Sequence, residues 1–149
     1  IRCLTSYQPR TFMYPHGWLG LGFAYAASIG AKIGMPKSPV ICVTGDGGFQ
    51  YNMQELATAA QYGVDVTVVM FNDSSWGVLK KQQQERYEGR VFATDLVNPD
   101  FIKLFDSYGF EGVRVHTVDE LTHALETVSH SNQTTLVEVQ IPRGFDAFD

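Results

Sequence analysis

The sequence predicts an α/β fold, a doubly wound and mostly parallel sheet with helices on both faces. Three observations carry that prediction. Strand and helix patterns alternate along the chain, an order that implies right-handed crossovers between parallel strands. Two of the strand runs are β-branched and almost wholly apolar, as expected of strands covered on both sides. At 149 residues, 44% of them apolar, the chain suffices for one domain, 1–149, with a full core.

The elements follow in order. "GLGFAYAASIGAKIGM" (20–35) is punctuated by Gly and Lys and reads as a buried helix. "SPVICVTG" (38–45) is the first strand. Asn52, with Glu55 three residues on, resembles a capping box. It opens a helix whose apolar face is Met53, Leu56, Ala57 and Ala60. "DVTVVMFN" (65–72) is the second strand, and the polar run "KKQQQERYEGRV" (80–91) is expected to be a mobile surface segment. Asn98-Pro99-Asp100 starts another helix, with Pro in its first position and Phe101, Leu104, Phe105 and Tyr108 on one side. "EGVRV" (111–115) is a third strand. Thr117 to Glu120 forms a further capping box, ahead of a buried stripe of Val118, Leu121, Leu125 and Val128. "TTLVEV" (134–139) is the last strand.

Composition narrows the function classes. The net charge is −5 with no basic run, which argues against nucleic acid. No stretch approaches the ~18 uninterrupted apolar residues of a membrane span. Cys3 and Cys42 make no disulfide framework; Cys42 lies in a strand run and reads as core, and a reducing, cytoplasmic setting fits. No signal peptide is expected ahead of the fold, and with Ile in first position the chain is expected to be a piece of something longer.

Two carboxylates stand just past the two apolar strands: Asp46 in Gly45-Asp46-Gly47-Gly48, and Asp73 in Asn72-Asp73-Ser74-Ser75. Ligands of such folds sit beyond the carboxyl ends of the strands. If the strands are neighbours, the two like charges repel unless a cation stands between them. Oxygen donors without His or Cys suit Mg²⁺ or Ca²⁺, and Mg²⁺ usually completes its shell with water and phosphate. Gly45, Gly47 and Gly48 let backbone N–H groups approach an anion. The constellation reads as a Mg²⁺–diphosphate clamp. A P-loop lacks its Gly-Lys-Ser/Thr here, and "GDGGFQ" breaks the dinucleotide fingerprint at its last Gly. A phospho-accepting receiver domain would not call for glycines on both sides of the first Asp.

Gly45-Asp46-Gly47 followed by Asn72-Asp73 resembles the motif of thiamine diphosphate-dependent enzymes. "GLGFAYAASIGAK", "GDGGFQYNMQELATA", "FNDSSWG" and "NPDFIKLFDSYG" extend the likeness over the chain. Each resembles the C-terminal, diphosphate-binding domain of acetolactate synthase-like and 2-oxo acid decarboxylase-like members. The resemblance implies Mg²⁺ held by Asp46, the Asp73 side chain and the Ser75 carbonyl, with Gly47 and Gly48 donating N–H groups to the diphosphate. It implies that Leu21 wedges the cofactor into a bent shape and that the Leu19 carbonyl accepts from its pyrimidine ring. Asp73 departs from the family's usual Asn, which adds negative charge beside the ion and the diphosphate.

The implied activity is that of a lyase or transferase: decarboxylation of a 2-oxo acid such as pyruvate, with the product released as an aldehyde or joined to a second carbonyl compound. An aryl-oxo acid decarboxylase is the nearest alternative, and a non-catalytic cofactor-binding or assembly subunit is another. The activating Glu is expected outside this chain, on a pyrimidine-binding domain or partner subunit across a dimer interface, in a homo- or hetero-oligomer. Glu55 belongs to its capping box, and Glu85 and Glu88 read as solvated. Among lesser candidates, His16 faces the substrate or the surface, and Trp76 lines the pocket mouth or anchors the core. His116, His123, His130, Lys80 and Lys81 read as solvated surface.

Overall fold

The computed structural model describes residues 5–18, 20–128, 131 and 133–143. In chain order the elements are α1 (Phe23–Gly34), β1 (Ile41–Gly45), α2 (Asp46–Gln50), a 3₁₀ turn (Met53–Glu55) and α3 (Leu56–Tyr62). They continue with β2 (Thr67–Asn72), α4 (Gly77–Arg86), α5 (Phe101–Asp106), β3 (Glu111–Val115), α6 (Val118–Val128) and β4 (Thr135–Gln140). The four strands are all parallel, in the order β1-β2-β4-β3. Helices lie on both faces, as the alternating pattern predicts.

One face carries the larger core. Tyr25 and Ile29 of α1, Phe49 of α2, Leu56 and Ala59 of α3, and Phe101 and Phe105 of α5 close over Cys42, Val68, Met70 and Leu136. Phe49 is its aromatic centre, 5.2 Å from the Tyr25 ring and 5.7 Å from Phe105. The other face is thinner: Ala124 and Val128 of α6 pack on Val69, Val115, Val137 and Val139. Because α6 lies over β3 and β4, the same face of β1 stays open, with Ile41 and Val43 exposed. The expectation that the first strand is covered on both sides therefore holds for one side.

Several local expectations are corrected by packing. Asn52 does not cap a helix; its Nδ2 donates to the Gly22 carbonyl at 2.9 Å, tying α3's approach to the start of α1. The buried positions of α3 are Leu56 and Ala59, while Ala57 and Ala60 face solvent, because the 3₁₀ turn resets the helix phase. Pro99 precedes rather than begins α5; Asp100 is the cap, accepting from the Lys103 N–H. Val118 is exposed, and the stripe of α6 runs through Ala124 and Val128, with Leu121 and Leu125 partly buried. In α1 only one side is buried, so Ile33 is exposed while Lys32 is buried against Asp65, at 2.9 Å. The polar run at 80–91 forms most of α4 and the turn after it.

Candidate functional site

The β1–β2 register pairs Gly45 with Phe71, so the chain leaves the two neighbouring strands side by side. Asp46 follows β1 at once, and Asp73 follows β2 at once. The juxtaposition expected from the sequence is therefore present.

Asp46 is only 2% exposed. Burial pushes its carboxyl above the usual carboxylate range, since the ionised form loses hydration there. Hydrogen bonds from Asn98 and the Gly47 backbone oppose that rise, and the charge of Asp73 adds to it. The charge of Asp73 is thus felt at Asp46. Asp73 is half-buried and turns on its own loop: Oδ1 accepts from the Ser75 N–H at 3.0 Å and Oδ2 from the Ser75 hydroxyl at 2.6 Å. Asn72 Oδ1 accepts from the Ser74 N–H at 3.0 Å, which holds Ser74 in the left-handed region at φ 53°. Two successive Asx turns therefore shape the loop.

Ser75 is buried and forms an isolated antiparallel bridge with Asp95. The flanking bonds run from the Trp76 N–H to the Thr94 carbonyl and from the Leu96 N–H to the Ser74 carbonyl. Neither uses the Ser75 carbonyl. The glycines have steric reasons as well: a Cβ on Gly47 would run into the Trp76 ring, and one on Gly77 would sit 2.8 Å from Asp73 Oδ2. Gly47 is buried under Trp76, whose ring also meets Tyr51 edge-on at 5.8 Å. Gly48 is half-buried near Thr44, and Gly45 is exposed.

Leu21 is 52% exposed, just ahead of α1. Leu19 and His130 lie outside the described residues. His16, His116 and His123 are exposed, as are Glu85 and Glu88. Lys80 pairs with Asp95 at 2.8 Å. Cys42 is buried, and burial pushes its thiol up to about 11, as befits an inert core residue. Among the described residues no three His, Cys, Asp or Glu side chains come together in a metal-holding cluster. Any ion at Asp46 and Asp73 would draw on two carboxylates and backbone or ligand oxygens, a donor set suited to Mg²⁺.

Sequence reasoning missed a polar network behind this pair. Asn98 Nδ2 donates to Asp46 Oδ2 at 2.6 Å and to Asn72 Oδ1 at 2.9 Å. Gln50 Nε2 donates to Asn98 Oδ1 at 2.9 Å. Asn72 Nδ2 donates to Glu138 Oε1 at 2.7 Å, and Arg114 Nε donates to Glu138 Oε2 at 2.9 Å. A signal was available: Glu138 interrupts an apolar strand run, and a carboxylate that is 1% exposed must have partners.

Residues 1–139 match the family described as "Thiamine pyrophosphate enzyme, C-terminal TPP binding domain". The chain belongs to that family. It is 39% identical over 136 residues to the acetolactate synthase large subunit of Haemophilus influenzae, covering 90% of this chain and 24% of that protein. It is 37% identical over 134 residues to a probable acetolactate synthase large subunit of Methanococcus aeolicus, covering 89% and 22%. Among solved structures, a thiamine diphosphate-dependent 4-hydroxybenzoylformate decarboxylase of Rhodococcus jostii RHA1 superposes with a TM-score of 0.76 at 31% identity. That match covers 85% of this chain and 24% of the decarboxylase. The chain thus spans about a quarter of the length of these relatives. Among the described residues no helix is long and apolar enough to cross a membrane.

Proposed function

We propose that this domain holds Mg²⁺ and the diphosphate end of thiamine diphosphate within a longer acetolactate synthase-like enzyme. That enzyme would decarboxylate a 2-oxo acid such as pyruvate and pass the product to a second carbonyl compound. The observation that carries the reading is the buried Asp46 beside Asp73 at the ends of adjacent parallel strands. Asp46, whose ionised form burial and the charge of Asp73 both disfavour, is built to receive a cation beside it.

In this reading Asp46, the Asp73 carboxylate and the Ser75 carbonyl hold the ion. Gly47 and Gly48 present backbone N–H groups to the diphosphate, beside Gly45, and Trp76 closes over Gly47. The exposed side of Leu21 supports the cofactor's bend, with the Leu19 carbonyl accepting from the pyrimidine. Thiamine diphosphate, when bound, supplies the electron sink for loss of CO₂. The remaining protein, three-quarters of the length of the relatives, supplies the pyrimidine-binding domain and the activating carboxylic acid, in an oligomer. The domain assignment, 1–149, is part of the same proposal.

A second reading, an aromatic 2-oxo acid decarboxylase, is favoured by the likeness to the 4-hydroxybenzoylformate enzyme. Turnover of pyruvate against benzoylformate by the full-length protein separates the two. The site itself is tested by fluorescence titration with thiamine diphosphate and Mg²⁺. Asp46→Ala is expected to lose Mg²⁺-dependent binding; undiminished binding would refute the assignment. Binding without turnover of either substrate would point to a cofactor-holding subunit.

A further inference from the structure

The two carboxylate arms come from different strands, so something must fix the distance between them. β1 and β2 pair as far as Gly45 and Phe71, and the arms lie beyond that ladder. Across this gap reaches the amide of Asn98, which arrives from the segment ahead of α5. One N–H of Asn98 goes to Asp46 Oδ2 at 2.6 Å and the other to Asn72 Oδ1 at 2.9 Å. Asn72 is the residue before Asp73, and its Oδ1 also holds the Ser74 N–H that shapes the Asp73 loop.

The amide has only one workable orientation. Its Oδ1 accepts from Gln50 Nε2 at 2.9 Å. Turned over, the carbonyl would face the Asp46 carboxylate and the NH₂ would face the NH₂ of Gln50. Asn72 is fixed in the same way, because its Nδ2 needs the Glu138 carboxylate, 2.7 Å away. Glu138 is in turn held by Arg114 Nε at 2.9 Å and Gln140 Nε2 at 2.8 Å. β3, β4 and β2 thus contribute one fully assigned run of donors and acceptors that ends on Asp46. Such satisfied networks specify geometry more than they add net stability.

We propose that Asn98 is the positioning residue of the acidic pair, a single amide that sets the Asp46 carboxylate against the Asp73 loop and is itself aligned, through Asn72, by Glu138. The inference rests on the Mg²⁺ reading of that pair. It adds residues that touch neither ion nor cofactor and act through those that do. Outer partners of metal ligands commonly govern affinity by about 10- to 100-fold.

The test uses the full-length protein and measures Mg²⁺ affinity at saturating thiamine diphosphate, alongside thermal unfolding without metal. Asn98→Ala is expected to weaken Mg²⁺ by about 10- to 100-fold, with full cofactor occupancy restored at high Mg²⁺. Rescue by mass action distinguishes a misplaced ligand from a collapsed loop. Glu138→Gln, isosteric and without contact to Asp46, is expected to weaken Mg²⁺ in the same direction. Combined with Asn98→Ala, its loss should be less than additive, as for two points on one relay. Wild-type Mg²⁺ affinity in Asn98→Ala, with Asp46→Ala inactive in binding, overturns the positioning role alone. Unchanged binding by Asp46→Ala overturns the underlying site instead. If Asn98→Ala does not fold, Glu138→Gln carries the same two outcomes.

Discussion

Asp46 and Asp73 end neighbouring strands, yet their surroundings have little in common. Asp73 is held within its own loop, by the backbone and hydroxyl of Ser75 two residues on. Asp46 is held from 52 positions away, by Asn98, and lies almost wholly out of water. One arm is a local turn that its own sequence shapes. The other is a buried charge that tolerates its position only through partners brought by the fold. The contrast teaches where each is vulnerable: the Asp73 arm to changes in its turn, the Asp46 arm to changes in charge or packing.

The largest expected effect follows from the buried arm. Asp46→Asn should lower Mg²⁺-dependent thiamine diphosphate binding by more than the ~100-fold that loss of a supporting partner costs. The same variant should raise the melting temperature of the metal-free protein near neutral pH, because it removes a buried charge. Calorimetry and titration on one sample check both signs. A variant that binds normally, or melts lower, breaks the comparison.

Next in size is Gly47→Ala. Its Cβ would meet the Trp76 ring, a rigid neighbour, so the loop or the ring must shift at a cost of about 1–3 kcal/mol. Chemical denaturation measures this, and Trp76→Ala in the same chain should recover part of the loss.

The pH dependence should also belong to the Asp46 arm. Its carboxyl titrates above the ordinary carboxylate value, so in that window the folded, metal-free protein binds more protons than the unfolded chain. Metal-free stability should therefore fall as pH rises from the ordinary value through the raised one. Mg²⁺ affinity should fall as pH is lowered through the same range, since the ion needs the ionised form. Both trends should vanish in Asp46→Asn; their survival would assign them elsewhere.

The smaller effects belong to the Asp73 arm. Gly77→Ala would bring a Cβ to 2.8 Å from Asp73 Oδ2. The carboxylate can swing aside only by giving up its bonds to Ser75, so Mg²⁺ affinity should drop with a small loss of thermal stability. Asp73→Asn should be the mildest, keeping cofactor binding because an amide oxygen still serves the ion; titration showing complete loss would make both arms equally dependent on charge.

Much of this protein was determined by its sequence alone. The β-branched apolar runs at 38–45 and 65–72 and the alternation after them specify a parallel sheet, although on one face of β1 the same run leaves Ile41 and Val43 exposed. Gly45-Asp46-Gly47 and Asn72-Asp73 mark the candidate site, since small residues around a carboxylate encode local backbone freedom. Tertiary structure alone decided the rest. Asn98, which reads as a helix start, became the link between two strands; Asn52, which reads as a cap, became a tie to α1; and Val118 was left in solvent when α6 settled over β3 and β4. Local patterns record what a residue can do with its near neighbours. A hydrogen bond across 52 positions has no such record, because its partners meet only once the sheet has formed.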